Sequence, residues 1–256
     1  MVIEKKTIEN IGILTVNRES SLNALNYKVL RELKKNVISL INDSNVKSII
    51  LTGAGNKAFI AGADIKFMES LNKKTALEFG ELGHKVANII ENSSKPIIAA
   101  INGFALGGGC EISLACHIRY ASEDAKFSQP EVKLGLIPGM GGTQRLVNVV
   151  GKGVALELII GGQMIDANEA HRIGLVNKVF PKTSLMEETI KFSKLISLNS
   201  PKAIEKSIYC INQSYKNSFS SGLLKEVNIF SNLFGTRETS EGLKAFVEKR
   251  EPDFSL

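Results

Sequence analysis

The chain has few of the residues that build the commonest ready-made chemistries. Its 256 residues include only three cysteines and three histidines. Cys110, Cys116 and Cys210 are odd in number and show no CxxC spacing, which argues against a disulfide framework and a thiolate metal cage and leads us to expect reduced thiols in a cytoplasm. His84, His117 and His171 stand far apart, with no HExxH and no clustered carboxylates, so a metal site has no support and all three read as structural or surface groups. No apolar run approaches a membrane span, and MVIEKKTIEN lacks the apolar segment of a secretory signal. The net charge of +6 comes from scattered lysines that are not interleaved with aromatics, so nucleic acid is not the expected partner. The same charge suits a solvated surface or the long-range attraction of phosphates. There is no Gly/Ser linker, no low-complexity segment and no sequence repeat. What is present is a globular composition, 43% apolar, long enough for one domain or two.

The first half alternates strand-like and helix-like stretches. Residues 12–16, 48–52, 96–102 and 117–121 read as strands, and Leu30, Leu33, Val37, Leu40 and Ile41 form one helical stripe between the first two. The phrase TGAGNKA after the second strand imitates a dinucleotide fingerprint. Another glycine turn follows it, and residues 71–75 read as a polar loop, so the required helix and acidic strand end are missing and the nucleotide reading fails. The second half is mainly helical. Its starts are signalled by Asp166 with Glu169, Ser184 with Glu187, and Ser200 before Pro201.

The most informative stretch runs from residue 101 to 142, INGFALGGGCEISLACHIRYASEDAKFSQPEVKLGLIPGMGG. Gly107, Gly108 and Gly109 precede a helix-like run over 110–116, where the unpaired N–H groups of a first turn sit at the positive end of the helix dipole. That is a place for a developing oxyanion, or simply a tight strand-to-helix turn. Two further glycine turns, AFIAGADIK (58–66) and IPGMGG (137–142), favour the first reading, since two separated backbone donors can grip one carbonyl oxygen. Glu111 and Glu131, twenty positions apart, each lie among apolar residues. Such carboxylates have raised pKa values and serve as acid or base near neutrality, although most glutamates are merely solvated. Cys110, between the glycines and Glu111, is a conceivable nucleophile, with small buried packing the favoured reading.

Taken together, KAFIAGADIK (57–66), KPIIAAINGFALGGGCEISLACHIRYAS (95–122), AKFSQPEVKLGLIPGMGGTQRL (125–146), GQMIDANEAHRIGLVNKVFP (162–181) and EGLKAFVEKREP (241–252) resemble the crotonase superfamily, most closely its enoyl-CoA hydratases. The resemblance spans nearly the whole chain. It implies an α/β fold, a crotonase-like (ClpP/crotonase) spiral of repeated β-β-α units over residues 1–199, with a C-terminal α-helical trimerisation region over 200–256. It further implies a cytoplasmic homotrimer or homohexamer acting on acyl-CoA thioesters, with no membrane association and no cofactor beyond the coenzyme A of the substrate. Glu111 and Glu131 would be the catalytic pair, the N–H groups of Ala63 and Gly108 the oxyanion hole, and Gly139 would help place the water. Ala63, Asp64, Ile65 and Lys66 would line the thioester channel, whose acyl end is expected to be shaped by loops, chiefly 67–80.

Phe246 and Lys249 are candidates to close the coenzyme A site across a subunit interface, while Phe230, Leu233, Phe234 and Phe246 read equally as intramolecular core. Isomerases of the superfamily usually keep only the glutamate matching Glu131, so both glutamates together favour hydration of short trans-2-enoyl-CoA. Another acyl-CoA activity (isomerase, decarboxylase or thioesterase) and a non-catalytic acyl-CoA-binding subunit stay open. Three positions depart from the family pattern: Glu19 where proline is frequent, Ser128 where glycine is, and His117 where aspartate is. Ser128 is near enough in sequence to alter the hydrogen bonding of Glu131.

Overall fold

The computed structural model describes residues 2–254. β1 (Ile3–Ile8) and β2 (Ile11–Val16) form an antiparallel hairpin, followed by α1 (Tyr27–Asn42). Then come β3 (Ser48–Gly53), β4 (Ala58–Ala61), α2 (Ile65–Glu69), α3 (Lys73–Glu91), β5 (Ile97–Ile101), β6 (Phe104–Leu106) and α4 (Gly108–Ala115). β7 (Ile118–Ser122) and β8 (Lys126–Ser128) lead through a 3-10 turn, Glu131–Leu134, to α5 (Gly142–Val150) and α6 (Lys152–Gly161). β9 (Ile165–Asp166), α7 (Ala167–Arg172), β10 (Lys178–Phe180) and α8 (Leu185–Ser197) precede three further helices, α9 (Pro201–Gln213), α10 (Phe219–Leu233) and α11 (Arg237–Glu248).

The strands divide between two sheets in a regular way. β3, β5 and β7 lie side by side and parallel in a six-stranded sheet of order β1-β2-β3-β5-β7-β10. Their successors β4, β6 and β8 lie parallel in a four-stranded sheet, β4-β6-β8-β9. Each turn of the chain therefore lays one strand on each sheet and then a helix, which is the expected spiral of β-β-α units. The sequence shows no repeat because the turns share only strand geometry; the helical insert between the strand pairs ranges from α2 plus α3 to α4 alone.

Burial explains the elements. β3 and β5 are buried at every position, as strands covered on both faces should be. α1 buries Val29, Leu30, Leu33, Val37 and Leu40, whereas Ile41 is only half-buried, one step off the stripe. Leu40 packs so closely on β2 that a Cβ at Gly12 would lie 2.7 Å from Leu40 Cδ1. Truncating Leu33 to Ala would cost about 2 to 5 kcal/mol through lost contacts and the cavity left behind.

Three local expectations need correction. Residues 71–75 are not a loop: Asn72 caps α3, its side chain accepting the Thr75 N–H at 3.0 Å while Thr75 Oγ1 accepts the Asn72 N–H at 2.9 Å. Two polar residues that looked like loop are a capping box. Consequently 67–80 is helical apart from its short middle, and Phe67 and Phe79 meet Tyr27 edge to face at centroid distances of 5.2 and 5.5 Å. Ser184 does not cap α8, since its backbone is already helical and its hydroxyl donates to the Pro181 carbonyl. Asp166 and Ser200 do cap their helices, accepting from the N–H groups of Glu169 and Ala203. In the tail, Phe230, Phe234 and Phe246 are 60%, 56% and 84% exposed, so the intramolecular core reading fails for them; Leu233 is half-buried.

Candidate active site

Three turns of the spiral converge on one place. The first follows β4. Leu25 N–H donates to the Gly62 carbonyl and the Leu25 carbonyl accepts from Asp64 N–H, both at 2.8 Å, so the intervening Ala63 N–H takes no part in the exchange. Gly62 reaches this turn with φ of +87°, which a glycine adopts at little cost. Asp64 caps α2, and its Oδ2 accepts from Arg18 Nη2 at 2.8 Å, which holds the Asp64 carboxyl below its ordinary range. Ile65 and Lys66 continue outward and are exposed.

The second turn is Gly107 to Gly109. Gly108 is the first residue of α4, where an N–H has no acceptor behind it. A Cβ on Gly108 would lie 4.0 Å from Ala63 N, 3.0 Å from Leu25 Cδ1 and 3.6 Å from Met140 Sδ, so the two candidate donors are neighbours beside an apolar wall. Two unspent N–H groups at that separation can receive one oxygen that gains charge.

Glu111 follows one turn later, 1% exposed. Its Oε1 accepts the N–H groups of Met140 and Gly142, both at 2.7 Å, which ties α4 to the third glycine turn. Burial pushes its carboxyl up, and the donors from Gly142 and Met140, more weakly Gly139, pull the other way because they favour the anion. Gly139 thus faces Glu111 without a well-formed bond to it. Glu131 opens the 3-10 turn after Pro130. Its Oε1 sits against the Cα of Gly107, and its Oε2 is buried with no partner. Burial, with the nearby charge of Glu111 adding to it, raises the Glu131 carboxyl to about 7. Two carboxylates in one site therefore differ in their surroundings, Glu111 Oε1 gripped by two backbone donors and Glu131 Oε2 without a partner.

Ala63, Gly108, Glu111, Glu131 and Gly139 are brought together. Ser128 leaves Glu131 alone; its hydroxyl donates to the Gly162 carbonyl at 3.4 Å. Phe246 and Lys249 stand exposed on α11 and at its C-terminal end within this chain. The groove between α5, α8 and α9 is separate, lined by none of these site residues. Cys110 and Cys116 are buried thiols pushed up to about 12, which suits packing and not nucleophilic attack. His117 Nδ1 accepts the Ile97 N–H and its Nε2 faces the Glu91 carbonyl, a structural role, while His84 is exposed. Among the described residues no three of His, Cys, Asp or Glu gather to hold a metal ion, and no helix is long and apolar enough to cross a membrane.

Sequence reasoning passed over Arg18, Met140 and Gln129. The groups they meet lie on other turns of the spiral, and only the SQPE and GMGG contexts of the last two offered a signal.

The family model described as "Enoyl-CoA hydratase/isomerase" matches residues 6–255. The chain belongs to that family. It is 44% identical over 254 residues to the crotonyl-CoA hydratase of Syntrophomonas wolfei, across 99% of this chain and 97% of that protein. It is 45% identical to the short-chain-enoyl-CoA hydratase of Clostridium acetobutylicum, across 98% of this chain and 95% of that one. The crystal structure of an enoyl-CoA hydratase from Bacillus anthracis superposes with a TM-score of 0.96 at 37% identity, covering 99% of both chains. Two sheets of spiralling β-β-α units are thus the crotonase fold of the enoyl-CoA hydratase/isomerase family.

Proposed function

We propose that the chain is an enoyl-CoA hydratase, adding water reversibly and syn to a short trans-2-enoyl-CoA, crotonyl-CoA being converted to 3-hydroxybutyryl-CoA. One observation carries the reading: buried Glu111 and half-buried Glu131, whose Oε2 is buried without a partner, stand beside two unspent backbone donors on Ala63 and Gly108. The names of the relatives support the substrate class.

In this reading the thioester oxygen sits between the Ala63 and Gly108 N–H groups, which stabilise the enolate as carbon 3 is attacked. Glu111, whose carboxylate form accepts the Met140 and Gly142 N–H groups, takes a proton from water, and Gly139 helps place that water. Glu131, protonated up to about pH 7, delivers its proton to carbon 2. One proton is then shared by the pair before and after turnover, only relocated from Glu131 to Glu111. The reverse reaction starts from that relocated form. Water, two carboxyls and two N–H groups balance the chemistry, so the reading calls for no metal or redox cofactor.

The turn Ala63, Asp64, Ile65 and Lys66 lines the thioester channel, with exposed Lys66 placed for a phosphate. The apolar side chains left bare on α10 and α11, Phe230, Phe234, Phe246 and Val247 among them, support covering by other copies, as a trimer or a dimer of trimers. In that assembly Phe246 and Lys249 reach a neighbour's coenzyme A site, and residues 200–256 serve as the oligomerisation region. Thiols in place of disulfides support a cytoplasmic setting.

The test is loss of the ultraviolet absorbance of the conjugated thioester when purified protein meets crotonyl-CoA. The native protein should consume it rapidly, and Glu111→Gln and Glu131→Gln should each be slower by about 10² to 10⁴. Tight binding of the thioester without loss of absorbance would refute hydration.

A further inference from the structure

Arg145 occupies a place that its helix disfavours. It is the fourth residue of α5, and a cation in a first turn meets the positive end of the helix dipole. Its side chain is nonetheless only 11% exposed and held on several sides. Nε and Nη2 donate to Glu91 Oε1 and Oε2, both at 3.0 Å, a fork on a carboxylate that fixes the plane of the guanidinium. Nη2 also donates to Asn88 Oδ1 at 2.8 Å. Glu91, the last residue of α3, is anchored in turn, because its carbonyl accepts from Asn212 Nδ2 of α9 and faces His117 Nε2 at 3.1 Å.

The other edge of the guanidinium meets the site. Nη1 donates to the Met140 carbonyl at 3.2 Å, and a Cβ on Gly141 would lie 2.1 Å from the same nitrogen, so Arg145 is pressed against the main chain of the third glycine turn. The Met140 carbonyl belongs to the peptide unit joining residues 140 and 141. The units on either side of it supply the N–H groups of Met140 and Gly142, both 2.7 Å from Glu111 Oε1. One guanidinium thus holds the middle of three successive peptide units, and the outer two orient a buried carboxylate. Charge works in the same direction. Burial opposes the Glu111 anion, and the positive charge of Arg145 favours it. Of the other titratable groups nearby, Glu131 on the 3-10 turn opposes that anion when ionised, the Cys110 thiol on α4 stays protonated, and Glu91 on α3 is spent on Arg145.

We propose that Arg145, locked by Glu91, is a positioning residue for hydration: it fixes the turn that orients Glu111 and favours the form that takes a proton from water, without touching the substrate. This rests on the hydratase reading above.

Three variants of the full chain test it with crotonyl-CoA. Arg145→Met keeps much of the stem and removes the charge and every donor, Arg145→Lys keeps the charge and loses the fork, and Glu91→Gln leaves Arg145 charged without its ion pair. In Arg145→Met kcat should fall about 10- to 100-fold while KM changes less than about threefold, as when a group that orients a reacting residue is lost. The acid limb of kcat/KM, where Glu111 takes up a proton, should move up by about half a pH unit or more, because the cation that favours the anion is gone. In Arg145→Lys that limb should stay with the native one, and kcat should recover at least about threefold over the Met variant. Glu91→Gln should lose kcat about three- to tenfold, with its acid limb no higher than the native one because Arg145 keeps its charge.

The proposal is overturned if Arg145→Met keeps kcat within about threefold of the native value, or if its acid limb stays in place, since a residue that only ties α5 to α3 does not move the titration of Glu111. If Arg145→Met does not fold, the other two variants decide, and native kcat in both overturns the proposal. A native enzyme that fails to hydrate crotonyl-CoA overturns the hydratase reading and this one with it; an active native enzyme with undiminished variants overturns only the role of Arg145.

Discussion

Replacing Gly107 by alanine should separate backbone geometry from carboxylate placement. Gly107 has φ of +48° and ψ of −120°, a combination in which an L-residue is strained by about 1 to 3 kcal/mol. In a protein of this size each kcal/mol moves the thermal midpoint by about 2 to 4 °C, so Gly107→Ala should melt about 2 to 12 °C lower. The added methyl also has nowhere to go, since it would overlap Glu131 Oε1 and lie 3.3 Å from Glu131 Cδ and 3.8 Å from Pro130 Cδ. The carboxylate is the softer neighbour and must swing aside. Hydration of crotonyl-CoA should then fall nearly as far as when Glu131 is removed, about 10² to 10⁴. The deciding assay is the double variant: with Glu131→Gln already in place, Gly107→Ala should cost less than about tenfold more, because residues in contact do not act additively. Losses that multiply in full would refute the argument, showing that the alanine acts on the Gly108 N–H and not on Glu131.

Two pH effects follow from the raised Glu131 carboxyl. Because Glu131 must carry the proton that it delivers, kcat/KM for hydration should decline as pH rises through about 7; a profile that stays flat through that range would contradict Glu131 as the acid. For stability, the native carboxyl keeps its proton up to about 7 while the unfolded chain releases it near 4.5, so the native state binds more protons in that window and this group's contribution weakens as pH rises across it. Glu131→Gln should lose that slope and melt higher than the native protein at pH 8, and an unchanged slope would show that Glu131 is ionised well below neutrality.

What could be read in advance follows from where each group finds its partner. α1 was legible because its stripe from Leu30 to Leu40 meets one surface, and β3 and β5 because strands buried on both faces are apolar throughout. Glu111 was legible because the glycines that precede it make the turn locally. β4, β6 and β8 were not. They are three or four residues long, and β8 contains Lys126 and Ser128, so periodicity has nothing to count. The start of α3 was misjudged for a related reason, since Asn72 and Thr75 satisfy each other and look, in composition, like a loop. Ser184 misled in the opposite sense, offering a cap that the Pro181 carbonyl had already claimed.

Arg18 and Gln129 belong to a different class. The carboxylate that Arg18 meets is 46 residues on, and the glycine that Gln129 packs beneath is brought back by the turn between β8 and α5. Neither contact has a local signature, because the spiral itself makes the neighbourhood. The same logic reaches past the single chain: the aromatic side chains of α10 and α11 follow a helical pattern with a clear apolar face, yet this fold gives that face nothing to cover it. A periodic stripe establishes that a surface will be buried. It leaves open by what, and that is why Phe246 read equally well as core and as interface until its exposure in the chain was known. Core within the chain is now excluded for Phe246 by its exposure, and its cover by a neighbouring copy stands or falls with the trimer proposed above.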